Sequence, residues 1–172
     1  MTGEVVLRPA IPADARAIAG VSVRAWRHAY ADIVEPQALA DRDVESQEPR
    51  WHELLDEGSG AETWVAQVEG RIAGYLTVGR STDRDAGSRT GMLHGLYLDP
   101  AAQGAGLGTR LHALALERLR ALGCREATLW VFEGNELGRA FYERQGWSRD
   151  PAGAGNEGEG WLAPALRYAR RL

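Results

Sequence analysis

Gln103-Gly104-Ala105-Gly106-Leu107-Gly108-Thr109 decides how this chain is read, because of what stands on either side of it. Before it, the apolar run Met92 to Leu98 is closed by Asp99-Pro100; after it, Leu107, Leu111, Leu114, Ala115, Leu119 and Leu122 recur at helical spacing until Gly123. A strand therefore passes through a glycine-rich corner straight into a strongly patterned helix. The first turn of such a helix presents N–H groups with no internal partner and the positive end of the helix dipole. Glycines there let a phosphate approach the backbone with no Cβ in the way. The segment reads as an anion cradle, against the plainer alternative of an ordinary strand-to-helix junction. It is neither of two better-known phosphate motifs. The dinucleotide fingerprint needs glycine where Thr109 stands, and the P-loop needs a lysine that this chain lacks altogether.

Working outward, Val5 to Pro9 is a short strand, and Pro12-Ala13-Asp14 starts a helix that runs to about residue 30. A second, more polar helical stretch is expected from Pro36 to Asp56. Glu62 to Val68 and Arg71 to Val78 are strands joined at Glu69-Gly70, the pattern of a tight hairpin. Downstream, Ala127 to Phe132 is a strand and Asn135 to Gly146 a helix with Leu137 and Phe141 on its core stripe. Ser148 to Gly160 (SRDPAGAGNEGEG) reads as a mobile loop, and about Ala165 to Arg170 as a last strand. The strand-helix-strand order of the second half implies parallel pairing, and the hairpin implies antiparallel edges, so the sheet is mixed.

Composition narrows the function. The chain has 172 residues and a formal charge of -4, which gives no general attraction to nucleic acid or anionic lipid. No window approaches a membrane span, no leader is visible at the start, and the single Cys124 fits a reducing cytoplasm. Without lysine there is no Schiff-base chemistry. One Cys and four His (His28, His52, His94, His112) in no ligand spacing predict no metal site.

At the glycine-rich corner the chain resembles the GNAT superfamily of acyl-CoA-dependent N-acetyltransferases. That family's signature is Arg or Gln, two residues, Gly, one residue, then Gly or Ala, here Gln103, Gly106 and Gly108. A second block is similar at Leu129-Trp130-Val131, Asn135, Ala140, Phe141-Tyr142 and Gly146-Trp147, and a first-helix pattern at Trp26 to Tyr30 with Val34-Pro36. The resemblance implies acetyl-CoA as co-substrate. Leu96 and Leu98 would offer backbone groups to its pantetheine, and the amides of Gln103, Gly104, Ala105, Gly106, Leu107, Gly108 and Thr109 would hold its pyrophosphate. Gln103 in place of the commoner Arg removes one charge. Arg110, Arg139 or Arg144 could meet the 3′-phosphate, each with a solvated surface charge as the alternative.

Amine acetylation needs a neutral amine, donors for the developing oxyanion, and a proton for the thiolate. By resemblance Tyr142 matches the thiolate's acid and Asn135 a cofactor contact; a core tyrosine and an N-cap asparagine are the alternatives. His94 is the candidate base because it alternates with Leu96 and Leu98 and should share their face of the strand. Glu133 is second, and His28 reads as a surface residue. Trp26 and Tyr30 share a helix face, as an acceptor wall or a core contact. Ten acids between residues 31 and 62, against Arg42 and Arg50 alone, favour a cationic amine.

The expectation is a single α/β domain, GNAT-like over residues 1–172, with a mixed sheet of about six to seven strands flanked by about four helices. It transfers acetyl from acetyl-CoA to a primary amine, on a small molecule or a peptide, by direct attack in a ternary complex. It needs no metal, nucleic acid or membrane, and a homodimer is compatible with it. Two rivals remain: a noncatalytic acyl-CoA sensor or interaction module, and a nucleotide-binding protein unrelated to CoA.

Overall fold

The computed structural model describes residues 3–56, 58–153 and 162–172. Strand β1 (Val5–Pro9) leads through a short 3-10 turn at Pro12–Asp14 into helix α1 (Ala15–Ala29). Asp14 holds this corner from two sides, accepting from the Ile11 N–H at 2.9 Å and pairing with Arg8 at 2.7 Å. The helical stretch expected from Pro36 to Asp56 is two helices, α2 (Pro36–Ala40) and α3 (Val44–Leu55). A reciprocal cap makes the break: Asp43 accepts from the Ser46 N–H at 2.8 Å, and the Ser46 hydroxyl accepts from the Asp43 N–H at 3.2 Å.

Strands β2 (Ala61–Val68) and β3 (Arg71–Arg80) form the expected hairpin. Glu69 and Gly70 turn it with φ of 52° and 77°, the left-handed pair that matches the twist of the flanking strands. Then come β4 (Thr90–Leu98), α4 (Leu107–Ala121), β5 (Glu126–Phe132), α5 (Glu136–Arg144), β6 (Ser148–Arg149) and β7 (Ala165–Arg171). Part of the stretch expected as a mobile loop is therefore ordered. Ser148 and Arg149 pair with Ala169 and Tyr168, and Pro151–Gly153 form a 3-10 turn; 154–160 lie outside the described residues.

Among the described residues the strands make one mixed sheet in the order β1-β2-β3-β4-β5-β7-β6, flanked by five helices, with β4 and β5 pairing in parallel and the other pairs antiparallel. On one face Leu76, Val78, Leu93, Leu129 and Val131 pack against Leu107, Leu111 and Leu119 of α4. On the other, Val65 and Tyr75 pack against Ile18 and Val21 of α1 and Trp51 of α3. Each fully buried Leu or Ile contributes roughly 1.5–3 kcal/mol. Helix α4 comes so close that a Cβ on Gly91 would stand 2.6 Å from Leu119 and 2.9 Å from the Cys124 sulfur. The helix α5 is different. None of its residues is buried, and Leu137, expected on its core stripe, is 87% exposed, because this helix lies over a break in the sheet and not over packed strand. Among the described residues, no helix is long and apolar enough to cross a membrane.

Candidate active site

The break lies between β4 and β5. These strands pair only where Thr90, Gly91 and Met92 meet Glu126, Ala127 and Thr128; from Leu93 onward β4 has no partner on that edge. A bulge bends it away. Thr77 of β3 faces Gly95 and the next residue, Val78, faces Leu93, so His94 is an extra residue in β4. A cleft of about 1840 Å³ opens through the gap, joining the α4–α5 face of the sheet to the α1 face. Its wall includes the unpaired β4 edge from Leu93 to Leu98 and Val131-Phe132 of β5, with Gly108 of α4, Tyr142 of α5 and Trp26 of α1.

At one end stands the glycine-rich corner. Helix α4 begins at Leu107 with Gly106 as a left-handed N-cap, φ 75°, and no side chain caps it. Among the described residues, the N–H groups from Gly104 to Thr109 donate to nothing. A Cβ built on Gly104 or Gly106 meets no atom within 4 Å, so both glycines look onto open space. Free amides, a helix N-terminus and room at the backbone suit a diphosphate. The seven residues are not equivalent: Gln103, Gly104 and Gly108 line the cleft, whereas the Leu107 side chain is buried in the core and can offer only its amide.

Three tyrosines meet at the gap from three elements. Tyr30, which caps the end of α1, lies 3.3 Å from Tyr97 of β4, hydroxyl to hydroxyl, and Trp26 packs edge-on to Tyr30 at 4.8 Å between ring centres. Tyr142 of α5 comes from the opposite face, packed against Phe141 and Trp147. Its ring is half-buried, and desolvation, then the neighbouring Tyr97, raises the pKa well above that of free tyrosine, so the phenol keeps its proton. Among the described residues its hydroxyl makes no hydrogen bond.

A profile of the Acetyltransferase (GNAT) family matches residues 23–147, which takes in the second half of α1, the bulged β4, the α4 corner and Tyr142. The chain belongs to the GNAT acetyltransferase family. Among its relatives, a mycothiol acetyltransferase of Amycolatopsis mediterranei is 33% identical over 152 residues, covering 84% of this chain and 46% of that protein. The chain thus spans less than half the length of the mycothiol acetyltransferases it matches. In fold it is similar to the PaiA N-acetyltransferase of Thermoplasma acidophilum in complex with coenzyme A, with a TM-score of 0.80, 16% identity, and coverage of 98% of this chain and 99% of that one. A putative acetyltransferase of Salmonella typhimurium, YncA, with acetyl-CoA, gives a TM-score of 0.73 at 20% identity over 98% of this chain and 94% of that one.

Within this GNAT domain the remaining candidates fall as follows. Leu96 and Leu98 lie on the unpaired edge and turn their side chains toward the α4 core. His94 does not share their face. The extra residue at the bulge reverses the alternation, and the imidazole Nε2 sits 3.3 Å from the Cβ position of Gly79, on the α1 side of the gap. The residue is exposed at the cleft, and its pKa is lowered by desolvation from the surrounding chain, with a hydrogen bond to the Arg80 backbone and then Asp83 pulling the other way. Asn135 lines the cleft, but its Oδ1 accepts from the Gly138 N–H at 3.0 Å and caps α5. His28 and Arg144 reach the wall; Glu133, Arg110 and Arg139 do not, and Arg139 is bonded to the Glu133 carbonyl and the Tyr168 hydroxyl. Of the ten acids expected to attract a cation, the nine described ones are all absent from the cleft wall.

Arg42, Arg50, Arg84 and Arg167 face the cleft without having been candidates in the sequence, and two of them, Arg167 and Arg42, are held by defined partners. Arg167 of β7, 6% exposed, binds Asp85 at 2.6 Å, Asp150 at 2.8 Å and Asp83 at 3.4 Å, while Asp83 also accepts from Thr128 and the Trp130 indole. This network ties the β3–β4 loop to β5 and β7 at the cleft mouth. Arg42, between α2 and α3, lies 4.0 Å over the Trp26 ring. Neither forms part of a local motif; their partners come from as far as 82 positions away.

Proposed function

We propose that this chain transfers an acetyl group from acetyl-CoA to a primary amine by direct attack, with donor and acceptor entering the gap from opposite faces of the sheet. The observation that carries the reading is the break between β4 and β5, which leaves a strand edge free from Leu93 to Leu98 beside a helix start whose amides are free. That edge offers alternating N–H and C=O groups to the amides of an extended pantetheine chain, as an added strand would. The amides from Gly104 to Thr109 take the diphosphate. When bound, acetyl-CoA supplies a thioester carbonyl open to nucleophiles.

The chain's residues supply the rest. Trp26, Tyr30 and Phe132 wall the acceptor side and exclude water around the amine. His94, neutral to below the ordinary histidine pKa, takes a proton from the incoming ammonium. As the new C–N bond forms and the C–S bond breaks, the nitrogen releases its second proton to solvent while Tyr142 gives its proton to the sulfur and regains one from solvent. The acceptor is a small molecule or a peptide, and Asn135 serves the site by fixing the start of α5.

Thermal denaturation with acetyl-CoA, ATP and NAD, followed by a thiol-release assay with a panel of amines, tests this. Acetyl-CoA alone should raise Tm, and amines should elicit thiol. Gly106→Val should abolish the Tm shift, since its side chain fills the space beside the free amides; its left-handed φ also costs about 1–2 kcal/mol of stability. A full Tm shift in that variant overturns the cradle. CoA binding with no thiol release from any amine makes the protein a sensor.

A further inference from the structure

We propose that Arg42 anchors a carboxylate carried by the acceptor, so that the substrate class is a carboxylate-bearing primary amine of amino-acid type. The inference rests on the acetyl-transfer reading and adds the acceptor's charge to it. The guanidinium lies over Trp26, its Cζ 4.0 Å from the ring centre, and its Nη2 donates to the buried Ser22 hydroxyl at 3.1 Å. No acid among the described residues balances it. Its Nε is buried without a partner, and the charged neighbour closest in influence is another arginine, Arg50, which also faces the cleft.

A half-buried cation without an anion is costly, and several of this chain's arginines carry one, while Arg170, which has none, donates instead to the Gln145 and Arg171 carbonyls. Arg8 has Asp14, Arg118 has Glu62, and Arg167 has three aspartates. A planar guanidinium on the cleft wall, positioned by Ser22 at Nη2, matches the fork geometry of a carboxylate. The diphosphate cannot be its partner. Arg42 rests on α1, whereas the free amides begin α4, with the sheet between those two helices. The anion therefore comes with the acceptor. Trp26, on which Arg42 lies, has its ring 6.3 Å from that of Tyr97, which borders the gap. A carboxylate seated on Arg42 thus stands one aromatic ring away from the gap, a span that suits an amine and carboxylate on the same small skeleton.

The test measures thiol release from acetyl-CoA with phenylalanine and methionine, each beside its amide and its decarboxylated amine, and with the dipeptide Phe-Met. At least one carboxylate should exceed its decarboxylated partner by about tenfold or more in kcat/KM. Arg42→Gln should erase that ratio, mainly through KM, and Arg42→Lys, which keeps charge without the fork, should restore only part of it. Activity on the dipeptide alone assigns the carboxylate to a peptide. Decarboxylated amines that match or outrun the carboxylates, or a parallel loss on all substrates in both variants, overturn the anchor. Independently of turnover, phenylpropionate is titrated calorimetrically into the CoA-loaded protein. Binding that Arg42→Lys weakens by about tenfold supports the anchor even if no amine is acetylated, in which case only the transfer reading fails; binding indifferent to both variants refutes it.

Discussion

Acidification from pH 7.5 to 5 should weaken this fold through one buried histidine. His112 of α4 is 2% exposed, and its Nε2 lies 2.8 Å from the Trp147 indole nitrogen. An indole N–H only donates, so Nε2 must be the unprotonated nitrogen. Burial, with help from the charge of Arg170, brings the His112 pKa down to about 4, from 6.5 for a free histidine. The native state therefore refuses a proton that the unfolded chain accepts once the pH falls below 6.5. Stability is full above that value and declines as pH falls toward 4. At pH 5, 1.5 units into this window at about 1.36 kcal/mol per unit, the loss is about 2 kcal/mol. For a chain of 172 residues that is roughly 4–8 °C in Tm. The assay is urea denaturation of the protein and of His112→Gln at pH 7.5, 6 and 5. The variant should start lower, having lost a buried partner for Trp147, but its stability should fall less with pH. Equal pH dependence of the two proteins would refute the reasoning. The pair matters to function because it clamps α4, which carries the free amides, to the chain just after α5.

Tyr142→Phe deletes one hydroxyl and no packing volume, so stability and calorimetric CoA affinity should hold while kcat falls about 10²- to 10⁴-fold; unchanged kcat removes the residue from the proton path. Arg167→Met leaves Asp83, Asp85 and Asp150 without their shared cation and should cost about 3 kcal/mol in urea denaturation. A loss below about 0.5 kcal/mol would show that the network contributes nothing measurable.

What could be read early was what is local in the chain. Leu107 to Leu122 shows its helix by spacing, Glu69-Gly70 its turn by composition, and Gly123 and Gly146 end their helices with φ of 79° and 87°. Pro36 to Asp56 deceived because two helices of one hydrophobic pattern differ only by the Asp43–Ser46 cap. The likeness of Tyr142 to a family position was legible, whereas its setting beside Tyr30 and Tyr97 joins three elements far apart in sequence.

By itself the sequence determined most of the elements, the glycine-rich corner and the family, since each rests on residues within one turn or one strand. Only the tertiary structure decided which face His94 looks toward. Alternation along a strand holds until an extra residue is inserted, and whether one is inserted depends on the register with β3, not on β4 alone. It also decided which charged residues line the cleft. A count of acids over residues 31 to 62 suggests a negative pocket, yet long charged side chains go where water or a partner is, and the described acids turn away from the cleft while Arg42 faces it. The direction in which a charge points is a property of packing, and packing is fixed by partners that the local sequence does not contain.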